Sequence, residues 1–132
     1  MKNYNRILYW IARLLAAGIM VQTLYFKFTA AAESIYIFET IGMEPWGRIA
    51  VGVMELIASI LLLVNRWAWI GAGIGAGLML GAVAMHVMFL GIQVMDDGGQ
   101  LFVYAWLVLL ACLYILVVDR QKLRLVFGRM TL

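Results

Sequence analysis

The sequence predicts an all-α integral membrane protein: a four-helix bundle with both termini cytoplasmic and a short interfacial helix between spans 1 and 2. Three observations predict it. First, the 132 residues are 66% hydrophobic and only 13% charged. A soluble domain of this size could not hide so much apolar surface, whereas lipid solvates it. Second, four apolar runs, at about 7–28, 46–64, 67–92 and 101–118, are each long enough to cross a hydrocarbon layer of about 30 Å. Third, the charges sort. Lys2, Arg6, Arg66, Arg120, Lys122, Arg124 and Arg129 fall on one side of a four-span arrangement, and Glu33, Glu39, Glu44, Asp96 and Asp97 on the other. That is the positive-inside pattern. With three spans the basic tail would lie with the acids. Residues 1–132 are read as a single transmembrane domain in contact with the lipid bilayer.

The net charge of +3 does not signal nucleic acid. The basic residues sit at the termini beside apolar spans, with no interleaved polar surface to follow a phosphate backbone. The single cysteine, Cys112, excludes an internal disulfide framework and a cysteine-based metal site. It lies in an apolar run and reads as a buried, inert side chain.

Span 1, residues 7–28, is interrupted by Arg13, Gln22 and Lys27. Thr29-Ala-Ala-Ala32 resembles a signal-peptide cleavage site, but the apolar region is too long and too often interrupted for one, so a retained helix is expected. In the segment 33–46, Ser34 could cap a short helix and Gly42 could end it. Ile35, Phe38 and Ile41 recur at threefold spacing, with polar residues elsewhere round the turn, as in a helix lying on a membrane surface. Pro45 is expected in the first turn of span 2, with Trp46 in the aromatic belt.

Span 2 ends at Asn65-Arg66, and the short connection makes a tight hairpin with span 3. Span 3 carries Gly71, Gly73, Gly75, Gly77 and Gly81. Overlapping small-xxx-small spacings allow close backbone approach, either across a homodimer or within the bundle. Met95-Asp-Asp-Gly-Gly99 is a turn. Span 4, 101–118, holds no charge. The tail 119–132 is basic, and Leu123, Val126 and Phe127 could lay it on the membrane.

The polar residues inside the spans carry the functional question. Glu55 lies nine residues past Trp46, about 14 Å into the bilayer, where a carboxylate costs at least about 2.5 kcal/mol and faces a partner or a cavity. Arg48, Gly52, Glu55 and Ser59 share one face of span 2. Gln22 lies about 12 Å, and His86 about 8–14 Å, from the same outer surface. Arg13, Ala17, Met20, Leu24 and Lys27 form one stripe of span 1. Gln22 is off it, which turns Lys27 inward and puts Gln22 at a flank. Glu55 is either a proton or ligand site or a structural acid. His86 is either a ligand contact or a core histidine bonded to a carbonyl or to Gln93. Arg13 and Lys27 either join the polar interior or snorkel to the surface. The candidate ligand-binding residues are Glu55, Lys27, His86, Gln22, Arg48 and Arg13, with Glu55 the one candidate for catalysis.

Two ligands, Glu55 and His86, do not make a metal site. The sequence has no HxxxH, no ExxH and no axial histidine pair for haem. It also lacks Ser-His-acid spacing and a phosphate loop. A self-contained hydrolase or nucleotide enzyme is not read.

Arg13 with Tyr25-Phe26-Lys27-Phe28 in span 1, and Gly52-Val-Met-Glu55-Leu56 in span 2, resemble the motifs of the DoxX family of small four-helix bacterial membrane proteins. The family's arginine and lysine-bearing stretch in helix one correspond to Arg13 and Tyr25-Phe26-Lys27-Phe28. Its Gly-x-x-Glu-Leu core corresponds to Gly52-Val-Met-Glu55-Leu56, followed by Ile-Ala-Ser59 and Leu61-Leu62-Leu63. Leu24 and Ser59 stand where the family often has glycine. The resemblance implies the bacterial inner membrane and a link to quinone-linked sulfur oxidation or to complexes that handle thiols and oxidative stress. It therefore implies an accessory subunit of a membrane oxidoreductase, with a membrane or peripheral redox partner. Its bundle would bind a quinone-like or other apolar small molecule near Glu55, and no covalently bound cofactor is expected. The alternatives are a scaffold or assembly factor whose buried glutamate is structural, and a small transport unit.

Overall fold

The computed structural model describes residues 3–94 and 97–121, together with Arg124, Leu125 and Gly128. Lys2, Asp96, Lys122, Leu123, Val126, Phe127 and Arg129, used above for charge sorting and the tail, lie outside the described residues. The order of elements is α1 (Asn3–Phe28), α2 (Ala32–Thr40), α3 (Trp46–Leu63), α4 (Ala68–Met85), a π-helical turn (His86–Leu90) and α5 (Gln100–Val118). No strand occurs among the described residues. The segments of α1, α3, α4 with its π turn, and α5 are each long and apolar enough to cross a membrane. The architecture is a four-helix membrane bundle.

α1 packs on α3 and α5, and α4 packs on the same two. The helices close a ring in the order α1–α3–α4–α5, which leaves α1 and α4 diagonal. One end carries Asn65 and Arg66 and is here the basic end. The other carries Glu33, Glu39, Glu44 and Asp97 and is the acidic end.

Small residues let the helices close on one another where lipid supplies no hydrophobic drive. Ala16, Ala58, Ala72, Val108 and Cys112 have no exposed surface. A Cβ on Gly71 would stand 2.7 Å from both the Ala58 carbonyl oxygen and the Leu62 nitrogen, so α3 and α4 touch backbone to backbone there. A Cβ on Gly75 would stand 2.9 Å from Cys112 Sγ. These two glycines are used within the chain. Gly73, Gly77 and Gly81 have nothing within 4 Å of a Cβ position.

Two arginines tie α1 to its antiparallel neighbour α3. Arg13, on α1, donates from Nε to the Leu62 carbonyl at 2.6 Å, in the last turn of α3. Arg48, on α3, donates from Nη1 to the Lys27 carbonyl, in the last turn of α1. Carbonyls in a last turn have no partner within their own helix. In lipid each unsatisfied one costs several kcal/mol. Each helix thus supplies the cap of the other.

Three local details differ from the sequence expectation. Ser34 does not cap α2. Ala31, in extended conformation, occupies that position with no side-chain cap bond, and Ser34 is buried inside the helix. The turn from α1 is made one residue earlier, at Ala30, whose φ is +56°. Pro45 is not in the first turn of α3. It takes the cap position after a cis Glu44–Pro45 bond. Span 3 is not one α-helix to residue 92. α4 stops at Met85, and the chain widens into the π turn, whose closing bond runs from Gly91 N–H to the His86 carbonyl at 2.7 Å. Gly91 then ends it at φ +79°, a conformation open to glycine. Gly42, at φ +75°, ends α2 as expected.

Candidate functional site in the acidic half of the bundle

Between the four long helices, toward the acidic end, lies a cavity of about 810 Å³. That is within the usual range for a small-molecule site. Its walls are mainly apolar. α1 contributes Met20 and Phe26, α4 contributes Leu78 and Ala82, and α5 contributes Leu101 and Val108. α2 lies across the acidic end, with Ile37, Phe38 and Ser34 facing the cavity. The threefold spacing read as a membrane-surface stripe thus turns Phe38 inward, where it is buried.

The polar part of the wall is built around Glu55, which is 3% exposed. Lys27 Nζ lies 3.1 Å from Glu55 Oε1 and 3.3 Å from Oε2. Thr23 Oγ1 lies 3.0 Å from Oε2 and 2.9 Å from the Met20 carbonyl. Its one hydrogen serves two acceptors, so the Thr23–Glu55 bond is shared. Ser59 donates back to the Glu55 carbonyl at 2.7 Å. Lys27 therefore turns inward, onto the acid, as its stripe on α1 predicts.

His86 is buried in the π turn and lines the same cavity. Its Nδ1 lies 3.0 Å from the Gly91 carbonyl. A carbonyl only accepts, so Nδ1 carries the hydrogen. In the neutral ring Nε2 is then an acceptor. Phe102 packs edge-on against the imidazole with centroids 5.5 Å apart. Gln22 also lines the cavity while staying exposed on its other side, the flank position its register predicts.

Two candidates are not brought to this cavity. Arg13 neither snorkels nor reaches Glu55. It is fully buried near the basic end, bonded to Leu62 and to Asn65 Oδ1 at 2.8 Å, with its guanidinium 3.8 Å over the Trp10 ring. Arg48 holds Glu44 through Nε at 2.9 and 3.0 Å. It acts beside the cavity, fixing the backbone from which Lys27 reaches Glu55. The physical reason is the same for both. A guanidinium has five donors, and helix-end carbonyls, which lack a partner within their own helix, are acceptors within its reach.

A family model, DoxX, matches residues 8–88. The chain belongs to the DoxX family. The match runs from α1 into the π turn and takes in Lys27, Glu55 and His86. Searches of curated proteins and of solved structures gave no match. This DoxX chain is thus a multi-pass membrane protein with an ion pair on the wall of an internal cavity. The sequence reading missed Thr23 as a partner of Glu55, although it lies four residues before Lys27 on the same face of the helix. It also missed α2 as the cover of the cavity. Of the two glycine departures, Leu24 is 5% exposed and packed, and Ser59 bonds the helix backbone.

Proposed function

We propose that this DoxX protein is a redox-associated subunit of the bacterial inner membrane, with both termini cytoplasmic. Its acidic-half cavity holds a quinone-like or other apolar small molecule. The observation that carries this reading is the Lys27–Glu55 pair set into the wall of a largely apolar space of about 810 Å³. Apolar walls take a ring or tail, and a few placed polar groups fix its orientation. Glu55 and Lys27 hold one end of the head group. His86, through Nε2, accepts from a ring hydroxyl of the reduced, quinol form at another point. Glu55 positions or passes a proton there, and Arg48 acts only by placing Lys27. Arg13 is left out of the ligand contacts.

A decyl-tailed benzoquinone added to the purified protein raises its melting temperature on this reading. Gln22→Leu and Thr23→Val, which leave the ion pair in place, reduce the shift, and Glu55→Gln abolishes it. Absence of a shift with any quinone analogue overturns the reading.

A second reading, a scaffold whose buried acid is structural, draws on one observation. Glu55 is already held by Lys27 and Thr23. On that reading Glu55→Gln lowers the melting temperature by the same amount with and without the quinone.

A further inference from the structure

The cavity has a side as well as an end. Gly77 and Gly81 line it, and both are exposed. Their place on α4 says which side. Gly71 faces α3, and Gly75 faces α5 and α1. At about 100° per residue, Gly81 and Gly77 lie about 80° and 120° round from Gly71, away from Gly75. They therefore border the seam between α3 and α4 from its lipid side.

That seam changes along its length. Near the basic end it is shut, with Gly71 against the backbone of Ala58 and Leu62. Gly77 and Gly81 are six and ten residues further on, about 9 and 15 Å toward the acidic end. There a Cβ would meet nothing within 4 Å among the described residues. Val51 stands on the facing side of α3, two turns from Ala58, and lines the cavity at this level together with Glu55. The seam is thus closed by backbone contact at one end and, on the α4 side of the other, carries two glycines with no side chain to close it.

We propose that the cavity opens sideways into the bilayer at this seam, between Val51 and the pair Gly77 and Gly81, and that its ligand is a membrane-dissolved amphiphile with a single apolar tail. The polar head passes inward to Glu55, Lys27 and His86. The tail stays in or near the seam, where glycines leave room for a chain and where water is absent. A water-soluble substrate has no need of such an opening. This inference rests on the function proposed above and specifies the class and route of its ligand.

The test uses the full chain in phosphatidylcholine vesicles with the decyl-tailed benzoquinone as probe. Binding is followed by quenching of tryptophan fluorescence in stopped flow. Gly77→Leu/Gly81→Leu fills the opening, and the added Cβ at either position meets nothing within 4 Å among the described residues. Gly73→Leu is the control, since Gly73 shares that exposed face and has equal free space but does not line the cavity. The expected result is an association rate about tenfold lower or more in the double variant, unchanged in the control, with melting temperatures of both close to wild type. An unchanged rate in the double variant overturns the inference and leaves the proposed function standing. Equal slowing in Gly73→Leu also overturns it, and marks the face as a contact between copies. No specific quenching in the wild type overturns the proposed function, and this inference falls with it.

Discussion

Arg13 caps a helix to which it does not belong: its Nε lies 2.6 Å from the carbonyl oxygen of Leu62. Arg48 returns the arrangement at the other end by donating to the Lys27 carbonyl. The α1–α3 pair is therefore pinned at both ends by planar, multi-donor heads. The consequence at the site is that Lys27 and Glu55 keep their separation without relying on their own attraction.

Arg13→Lys is expected to destabilise the bundle by about 2 kcal/mol. A lysine head cannot bond Leu62 and Asn65 in the guanidinium's fork geometry. It also gives up the stacking on Trp10, 3.8 Å away. Arg13 Nη2 is buried with no hydrogen-bond partner among the described residues, so the arginine is not ideally satisfied, which keeps the loss moderate. Thermal unfolding in detergent measures it, and a melting temperature equal to wild type contradicts the capping role.

Lys27→Met leaves the Glu55 carboxylate deep in the bundle with Thr23 as its remaining partner. Removing one partner of a buried pair costs about 3 kcal/mol or more. Lys27→Met/Glu55→Gln removes the uncompensated charge as well and is expected to recover at least half of that loss. A double-mutant cycle on unfolding free energies reads the coupling. Strict additivity shows that the two side chains do not interact.

Much of the fold was legible from the sequence, because lipid imposes a simple rule: backbone groups must be satisfied internally, so long apolar runs are helices. Glu55, Lys27 and His86 were legible for the same reason, as polar groups too costly to place at random. What was not legible depends on direction. Arg13 has the same composition signal whether it snorkels or turns to Leu62. The choice depends on α3 ending within reach of it, which no pattern in α1 encodes. The π turn was hidden because His86–Leu90 reads as a plain apolar continuation of α4. Only Gly91, at φ +79°, hints that the helix must break nearby. The cover formed by α2 was hidden because the same threefold spacing suits a helix packed on lipid or on protein.

The turn before α5 makes stability pH-dependent. Asp97 Oδ1 accepts from the N–H groups of Val94 at 3.1 Å and Gly99 at 2.8 Å, and Oδ2 accepts from Leu101 at 3.2 Å. Burial alone would raise its pKa. The three backbone bonds outweigh that and hold the carboxyl below its ordinary value. A group whose pKa is lower when folded releases its proton more readily in the folded state. Its contribution is therefore present above the unfolded pKa of about 3.9 and fades as pH falls below it. Wild type should lose melting temperature from pH 5 to pH 3 (approximate bounds) more steeply than Asp97→Asn, which begins lower. Parallel curves for the two proteins contradict the assignment.

Two neighbouring glycines on α4 give opposite expectations for the same substitution. At Gly71 a methyl group would stand 2.7 Å from the Ala58 carbonyl oxygen and from the Leu62 nitrogen, both backbone atoms. Neither can rotate away, so α3 and α4 must separate, at a cost of about 1–3 kcal/mol. The shift would also disturb Leu62, the residue that Arg13 caps, so Gly71→Ala and Arg13→Lys should not be additive. At Gly73, two residues on, a methyl group meets nothing within 4 Å. There alanine only removes glycine's conformational freedom and stabilises the helix by up to about 1 kcal/mol. The two single variants should therefore move the melting temperature in opposite directions. If Gly71→Ala matches or exceeds wild type in stability, the backbone contact between α3 and α4 is not the one described.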